Sequence, residues 1–195
     1  NGGAALAMAN TFVATAAAAL SWMAFVWLTR KKPTLLGLAS GAVAGLVAVT
    51  PAAGFAGPMG AIILGLVVSP VCIMFCSAVK SALGYDDSLD AFGIHGVGGV
   101  VGAIGTAFVV NPAWGGAGVI DYTTCQAGVC GVAAFDLSAQ ILAQAKAVGV
   151  TIAWSGVGSA LVFLGIKLAT GGRVSEETEA EGLDFAEHGE AAYHA

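Results

Sequence analysis

The stretch Phe92-Gly93-Ile94-His95-Gly96-Val97-Gly98-Gly99 sets a single imidazole inside an apolar, glycine-rich run that continues to about residue 110. Such a ring is costly to place in hydrocarbon, and an ionisable side chain inside a membrane span marks a functional site by default. The surrounding composition supports a membrane setting. The chain has 195 residues, 57% of them hydrophobic and only 10% charged, with mean hydropathy +0.86. Soluble domains carry about 25% charged residues, so a water-soluble monomer is disfavoured. The 29 glycines follow no tandem period and fall inside apolar runs, as small residues do in close-packed membrane helices. Net charge is −5, but seven of the twelve acids lie after Ser175. The acidity therefore belongs to the tail, and no basic patch supports nucleic acid as a partner.

Working outward, five apolar segments are long enough to cross a bilayer, which takes about 20 helical residues. They cover about 4–29, 35–55, 59–79, 89–110 and 137–170, and a polar tail occupies 171–195. The runs are continuous and alanine-rich rather than alternating, which favours helices over strands. The expected fold is an all-α polytopic membrane protein with five transmembrane helices. Arg30, Lys31, Lys32, Lys80, Lys167 and Arg173 all flank segment ends. Five alternating crossings place these six on one side, which the positive-inside rule makes cytoplasmic. The N-terminus then faces out and the tail faces in. Lys146 alone breaks the pattern. The sequence begins at Asn1 without a signal-peptide layout, so it reads as a piece of a longer chain.

Gly37, Gly41 and Gly45 in the second segment recur every four positions and allow close helix approach. Pro51 should end that helix, and Ser69-Pro70 should kink the third segment by removing an intrahelical bond. The fifth segment, about 50 Å long as a helix, must tilt, bend or protrude from a core about 30 Å thick. The external linker 111–136 holds Cys125 and Cys130, which could form a disulfide or stay as two thiols. Zinc needs four ligands, and the linker has no histidine. Cys72 and Cys76 read as packing residues. No metal or other cofactor is expected, and no enzymatic chemistry, since His95 has no nucleophile or second ligand near it in sequence.

Asp86, Asp87 and Asp90 cluster at the start of the fourth segment, where a helix dipole favours carboxylates. They could pair with the Arg30-Lys31-Lys32 loop, and Asp87 and Asp90 are candidates for orienting the segment that carries His95. Apolar surroundings favour the neutral ring, which offers one donor and one acceptor nitrogen. Such a ring suits a small neutral polar solute better than a bare cation, although His95 could instead be a satisfied packing residue.

Four blocks give the chain a family resemblance. They are Ser40-Gly41-Ala42-Val43-Ala44-Gly45-Leu46-Val47 through Thr50-Pro51-Ala52-Ala53-Gly54; Asp86-Asp87-Ser88-Leu89-Asp90-Ala91-Phe92-Gly93-Ile94-His95-Gly96; Trp154-Ser155-Gly156; and Gly182-Leu183-Asp184 with His188-Gly189-Glu190 and Tyr193. In these the chain resembles the ammonium transporter (Amt/Rh) family, on the bacterial Amt side. The resemblance implies an eleven-helix fold of two inverted five-helix repeats and a long last helix, assembled as a homotrimer. The five segments correspond to helices seven to eleven. His95 then matches the second histidine of the family's pore pair, with Ala91, Phe92, Gly93 and Thr50 as further candidates for the pore wall. The other histidine, the outer cation-recruiting site and the gating phenylalanines belong to helices that this chain lacks.

The resemblance further implies transport of ammonium or ammonia, with methylammonium as analogue, across the cytoplasmic membrane. Gly182, His188, Gly189, Glu190 and Tyr193 would belong to a cytoplasmic regulatory tail that couples protomers and meets PII-type signal proteins. Rival readings are a non-transporting ammonium sensor on the same fold, an Rh-like gas conduit, and a structural membrane subunit in which His95 only packs. A tail of only about 25 polar residues favours transport over sensing.

Overall fold

The computed structural model describes residues 2–126 and 129–191. Among the described residues, four helices are long and apolar enough to cross a membrane: α1 (Gly2–Arg30), α3 (Pro58–Leu83), α4 (Phe92–Val109) and α5 (Leu137–Thr170). Between the first two lies α2 (Leu35–Val49), a shorter apolar helix. Its 15 residues measure about 22 Å, and the expected second span is completed by irregular turns before Gly57 caps α3. The tail folds into two one-turn helices, α6 (Glu176–Glu181) and α7 (Leu183–His188).

The chain forms two compact units, Asn1–Val148 and Gly149–Ala195. In the first, α1 to α4 share one core. Ala18, Trp22 and Val26 of α1 meet Ala44 and Ala48 of α2, Val68, Cys72 and Ile73 of α3, and Ile94 of α4. Most of these side chains are small, and glycine brings the backbones closer still. A β-carbon on Gly45 would lie 2.7 Å from the Ala14 carbonyl oxygen, and one on Gly102 would collide with the backbone of Ala48. Lipid tails are as apolar as the helices, so this close packing, rather than water exclusion, holds the bundle together.

Polar contacts then appear where the backbone ladder is interrupted. Pro70 lies inside α3 and has no N–H to donate to the carbonyl four residues earlier. That carbonyl, on Leu66, instead accepts from Ser21 Oγ of α1 at 2.8 Å. The helix continues through Pro70 and, after a π-helical turn at Phe75–Val79, ends at Gly84 with φ +65°. Beyond α2, the buried Asn10 donates through Nδ2 to the carbonyls of Ala53 and Ala56, at 2.8 and 2.7 Å. Ser69 Oγ donates to the Ala18 carbonyl at 2.7 Å.

One element departs from the all-helical expectation. The linker contains an antiparallel hairpin, β1 (Ile120–Gln126) and β2 (Val129–Val132), with Ile120 opposite Val132. Ile120, Tyr122, Thr123, Thr124 and Val132 are good strand formers, and this segment lies outside the apolar runs on which the helical reading rested. Cys125 and Cys130 are disulfide-bonded within the hairpin. Asp136 then caps the start of α5, accepting from the Ser138 and Ala139 amides at 2.8 and 3.1 Å. In α5 itself no residue is buried.

Two substitutions test this packing in detergent-solubilised protein. Gly102→Val should lower stability by about 1–3 kcal/mol through overpacking. Ser21→Ala should lower it by about 0.6 kcal/mol, the usual scale for one hydrogen bond between membrane helices. Thermal unfolding measures both, and an unchanged midpoint for Gly102→Val would contradict the close approach of α2 and α4.

Candidate functional site

The helix that carries His95 begins against a loop closed by its own side chains. Asp87 reaches forward, and its two carboxylate oxygens accept from the Phe92 and Gly93 amides, each at 3.0 Å. These are among the first amides of α4, which have no acceptor within the helix. Partial burial raises the Asp87 carboxyl, but the Gly93 and Phe92 amides and the Lys80 ammonium lower it by more, so it settles below its ordinary 3.8.

Lys80, in the last turn of α3, closes the loop from the other side. Its ammonium donates to the Asp87 carbonyl at 2.6 Å and to Asp90 Oδ1 at 2.9 Å. The sequence allows the acids to pair with the Arg30-Lys31-Lys32 loop; Asp90 pairs with Lys80 instead. The reason is local, since Gly84 turns the chain back so that residues ten apart meet. Asp90 itself adopts φ +54°, a left-handed conformation that aspartate tolerates better than most residues. Tyr85 adds a hydrogen bond to the Phe75 carbonyl at 2.8 Å and an edge-on contact with Phe92 at 5.6 Å.

His95 lies in the first turn of α4, where Phe92–Gly96 is π-helical. Turns of this kind occur frequently at functional sites. The His95 side chain is exposed, as are Ala91 and Phe92, the last at 54%. Gly93 is buried, and a β-carbon there would strike Cys76 Sγ in the π-helical turn of α3. Thus Ala91, Phe92 and His95 are each exposed, while Gly93 serves the contact between α4 and α3.

Thr50 is at another level of the fold. It follows α2 and its hydroxyl donates to the Leu46 carbonyl at 2.6 Å. Ala48, two residues earlier, packs on Gly102, seven residues beyond His95 and so about 10 Å further along α4. A cavity of about 760 Å³ is an apolar groove between α3 and α4 lined by residues such as Ile63, Val67, Ile104 and Phe108, and His95 does not contribute to it.

In the second unit, Gly182 (φ +103°) and Gly189 (φ +65°) bracket α7. The Glu190 amide closes it on the Asp184 carbonyl at 2.9 Å, and His188 is exposed. Arg173 makes a two-pronged contact with Glu179 at 2.8 and 2.9 Å. The candidate Tyr193 lies outside the described residues. Among those described, no group of three His, Cys, Asp or Glu side chains could hold a metal ion. The sequence reading missed Lys80 as a loop clamp, although its placement just before Gly84 and the acid cluster was a usable signal.

Apolar helices of spanning length, packed through glycine and small residues, make this a multi-pass helical membrane protein. The model of the Ammonium Transporter Family matches residues 1–193. An ammonium transporter of Aquifex aeolicus is 45% identical over 99% of this chain and 42% of its own length. One from Bacillus subtilis is 39% identical over 99% of this chain and 45% of its own length. The chain belongs to the ammonium transporter family. It spans less than half the length of these relatives. Among solved structures, one described as "Sensor Amt Protein" superimposes with a TM-score of 0.80 at 29% identity, covering 96% of this chain and 42% of that one. Mep2 of Saccharomyces cerevisiae does so at 0.73 and 29%, covering 90% and 38%. The fold is therefore part of the Amt/Mep architecture.

Replacing Asp87 by alanine should free the Phe92 and Gly93 amides and cost the first turn about 1 kcal/mol, as loss of a helix cap does. Hydrogen exchange at these two amides should accelerate by roughly fivefold. Because the folded carboxyl sits below its ordinary 3.8, its stabilisation is complete above that pH and fades as pH falls through the folded value. Asp87→Asn should remove that acid-side dependence.

Proposed function

We propose that this chain supplies one wall of a pore for ammonium and ammonia in the cytoplasmic membrane, with His95 at the pore centre. The observation that carries the reading is the exposed imidazole in the first turn of α4, in a chain that the family model matches almost from end to end. A second imidazole and the outer recruiting site would come from helices outside this chain.

Moving an ammonium ion into a dry, apolar tube has an idealised desolvation cost on the order of 20 kcal/mol. Ammonia needs only hydrogen-bond partners, and a pair of neutral imidazoles offers both donors and acceptors. The cation is recruited outside, loses its proton and passes as ammonia. Ala91 and Phe92, exposed like His95, line the pore beside it, Thr50 lines the path at another level, and Gly93 lets α4 approach α3. Asp87 positions the first turn, and Asp90 holds the loop through Lys80. No chemical conversion or cofactor is involved.

The end of the bundle carrying Arg30, Lys31, Lys32 and Lys80 faces the cytoplasm, following the positive-inside rule. The tail, with Gly182, His188, Gly189, Glu190 and Tyr193, couples the protomers of a homotrimer and meets a PII-type signal protein. The Cys125–Cys130 hairpin faces the oxidising side.

A second reading is favoured by one observation: the solved structure with a TM-score of 0.80 is described as a sensor. Uptake separates the two. In the full-length protein, His95→Ala should reduce methylammonium uptake by about tenfold or more, on the scale of one lost hydrogen bond, while trimers still form. Unchanged rate and selectivity would remove His95 from the pore, and ammonium binding without uptake by the unaltered protein would favour the sensor. Thiol labelling of intact cells should modify Cys125 and Cys130 only after reduction; labelling beforehand would place the hairpin on the reducing side.

A further inference from the structure

Asn10 leaves one hydrogen-bonding atom unanswered in the interior of the bundle. The residue is 0% exposed, and its Oδ1 is buried without a partner among the described residues. Its Nδ2 is fully used, donating to the Ala53 and Ala56 carbonyls at 2.8 and 2.7 Å. Turning the amide over would set Oδ1 against those two carbonyl oxygens, so the network itself fixes which atom is left over. A carboxamide oxygen only accepts, and burying an acceptor without a donor is unfavourable. Hydrocarbon has no bulk water to supply one.

A donor with the opposite need lies close by. Helix α3 starts just beyond Ala56, with Gly57 as its cap and Pro58 as its first residue. Glycine brings no side chain to cap the helix, and proline has no N–H. The amides of Met59 and Gly60 come next, too early in the helix to find an acceptor inside it. The first backbone bond at this end runs from the Ala61 amide to the Gly57 carbonyl at 3.1 Å, and the two preceding amides have no acceptor among the described residues. Met59 is 63% exposed, whereas Gly60 is buried. A β-carbon on Gly60 would sit 3.7 Å from that of Ala56, so Gly60 and the Asn10 amide both adjoin Ala56. An acceptor and a donor left over at one place call for a single group that both donates and accepts. Water and a hydroxyl qualify. Because Asn10 has no exposed surface for a side chain from elsewhere to reach, the smaller group fits better, and two polar partners are enough to hold a buried water.

We propose that Asn10 and the start of α3 form a binding site for one buried water molecule, which donates to Asn10 Oδ1 and accepts from the Gly60 amide. Together with the two bonds from Nδ2, this water ties α1, the turns after α2 and the start of α3 at one point. The same turns also anchor the linker, through the Ala117 amide on the Phe55 carbonyl at 2.7 Å. The proposal rests on the packing of the first unit and not on the pore role of His95.

The test is a crystal structure or cryo-electron microscopy map of the full-length protein at a resolution that shows ordered waters. The unaltered protein should carry a solvent peak within about 3 Å of both Asn10 Oδ1 and the Gly60 nitrogen. Asn10→Leu, similar in size but without the acceptor, should lose that peak. A side chain from another part of the protein donating to Oδ1 would overturn the proposal, and so would an Oδ1 with no peak beside it. A peak that persists in Asn10→Leu would also overturn it, because backbone alone would then hold the water. The map of the unaltered protein decides the question even if Asn10→Leu fails to fold.

Discussion

Hydrocarbon offers no hydrogen bonds, and that constraint organises this chain. In water an interrupted helix hydrates its freed carbonyls, whereas in a bilayer another part of the protein must satisfy them. Two of the interruptions here have such a partner. Ser21 serves the carbonyl that Pro70 leaves free, and Asn10 serves two carbonyls in the turns after α2. The same logic extends to the interface, where Asp87 serves amides at the start of α4. Glycine packing brings the helices close enough for these short side chains to reach across.

The polar residues in the spans therefore divide into two kinds. Asn10, through its amide nitrogen, and Ser21 and Ser69, through their hydroxyls, donate to neighbouring backbone carbonyls, and they are part of the framework. His95 is presented at an exposed surface of the chain. The framework around it is specific, because the carboxylate cap and the Lys80 clamp grip the same short loop. This division is what makes His95, and not every polar residue in the bundle, a candidate for contact with a solute.

Much of the helical layout was legible in the sequence, because continuous apolar runs and their basic ends are long-range signals that survive without tertiary detail. Asp87 could be suspected from its place before an apolar run. The partner of Asp90 could not, since pairing with Lys80 depends on the turn at Gly84 and on the positive φ of Asp90 itself. The hairpin was missed because it lies outside the long apolar runs and its pairing is confined to short segments. The Ser21–Leu66 contact joins residues 45 apart, and no periodicity announces it. The π-helical turns likewise leave no mark in composition.

Those two turns, Phe75–Val79 and Phe92–Gly96, meet where Gly93 packs on Cys76. A π-helical turn holds more residues than an α-helical one, and each residue of a helix advances its side chains by about 100°. The turn in α4 therefore acts as a phase shifter between the Asp87 cap and the glycine seam at Gly98 and Gly102. It lets both ends of the segment be seated while it fixes the compass bearing of the imidazole between them. Changing the count of residues there would swing His95 around the helix axis.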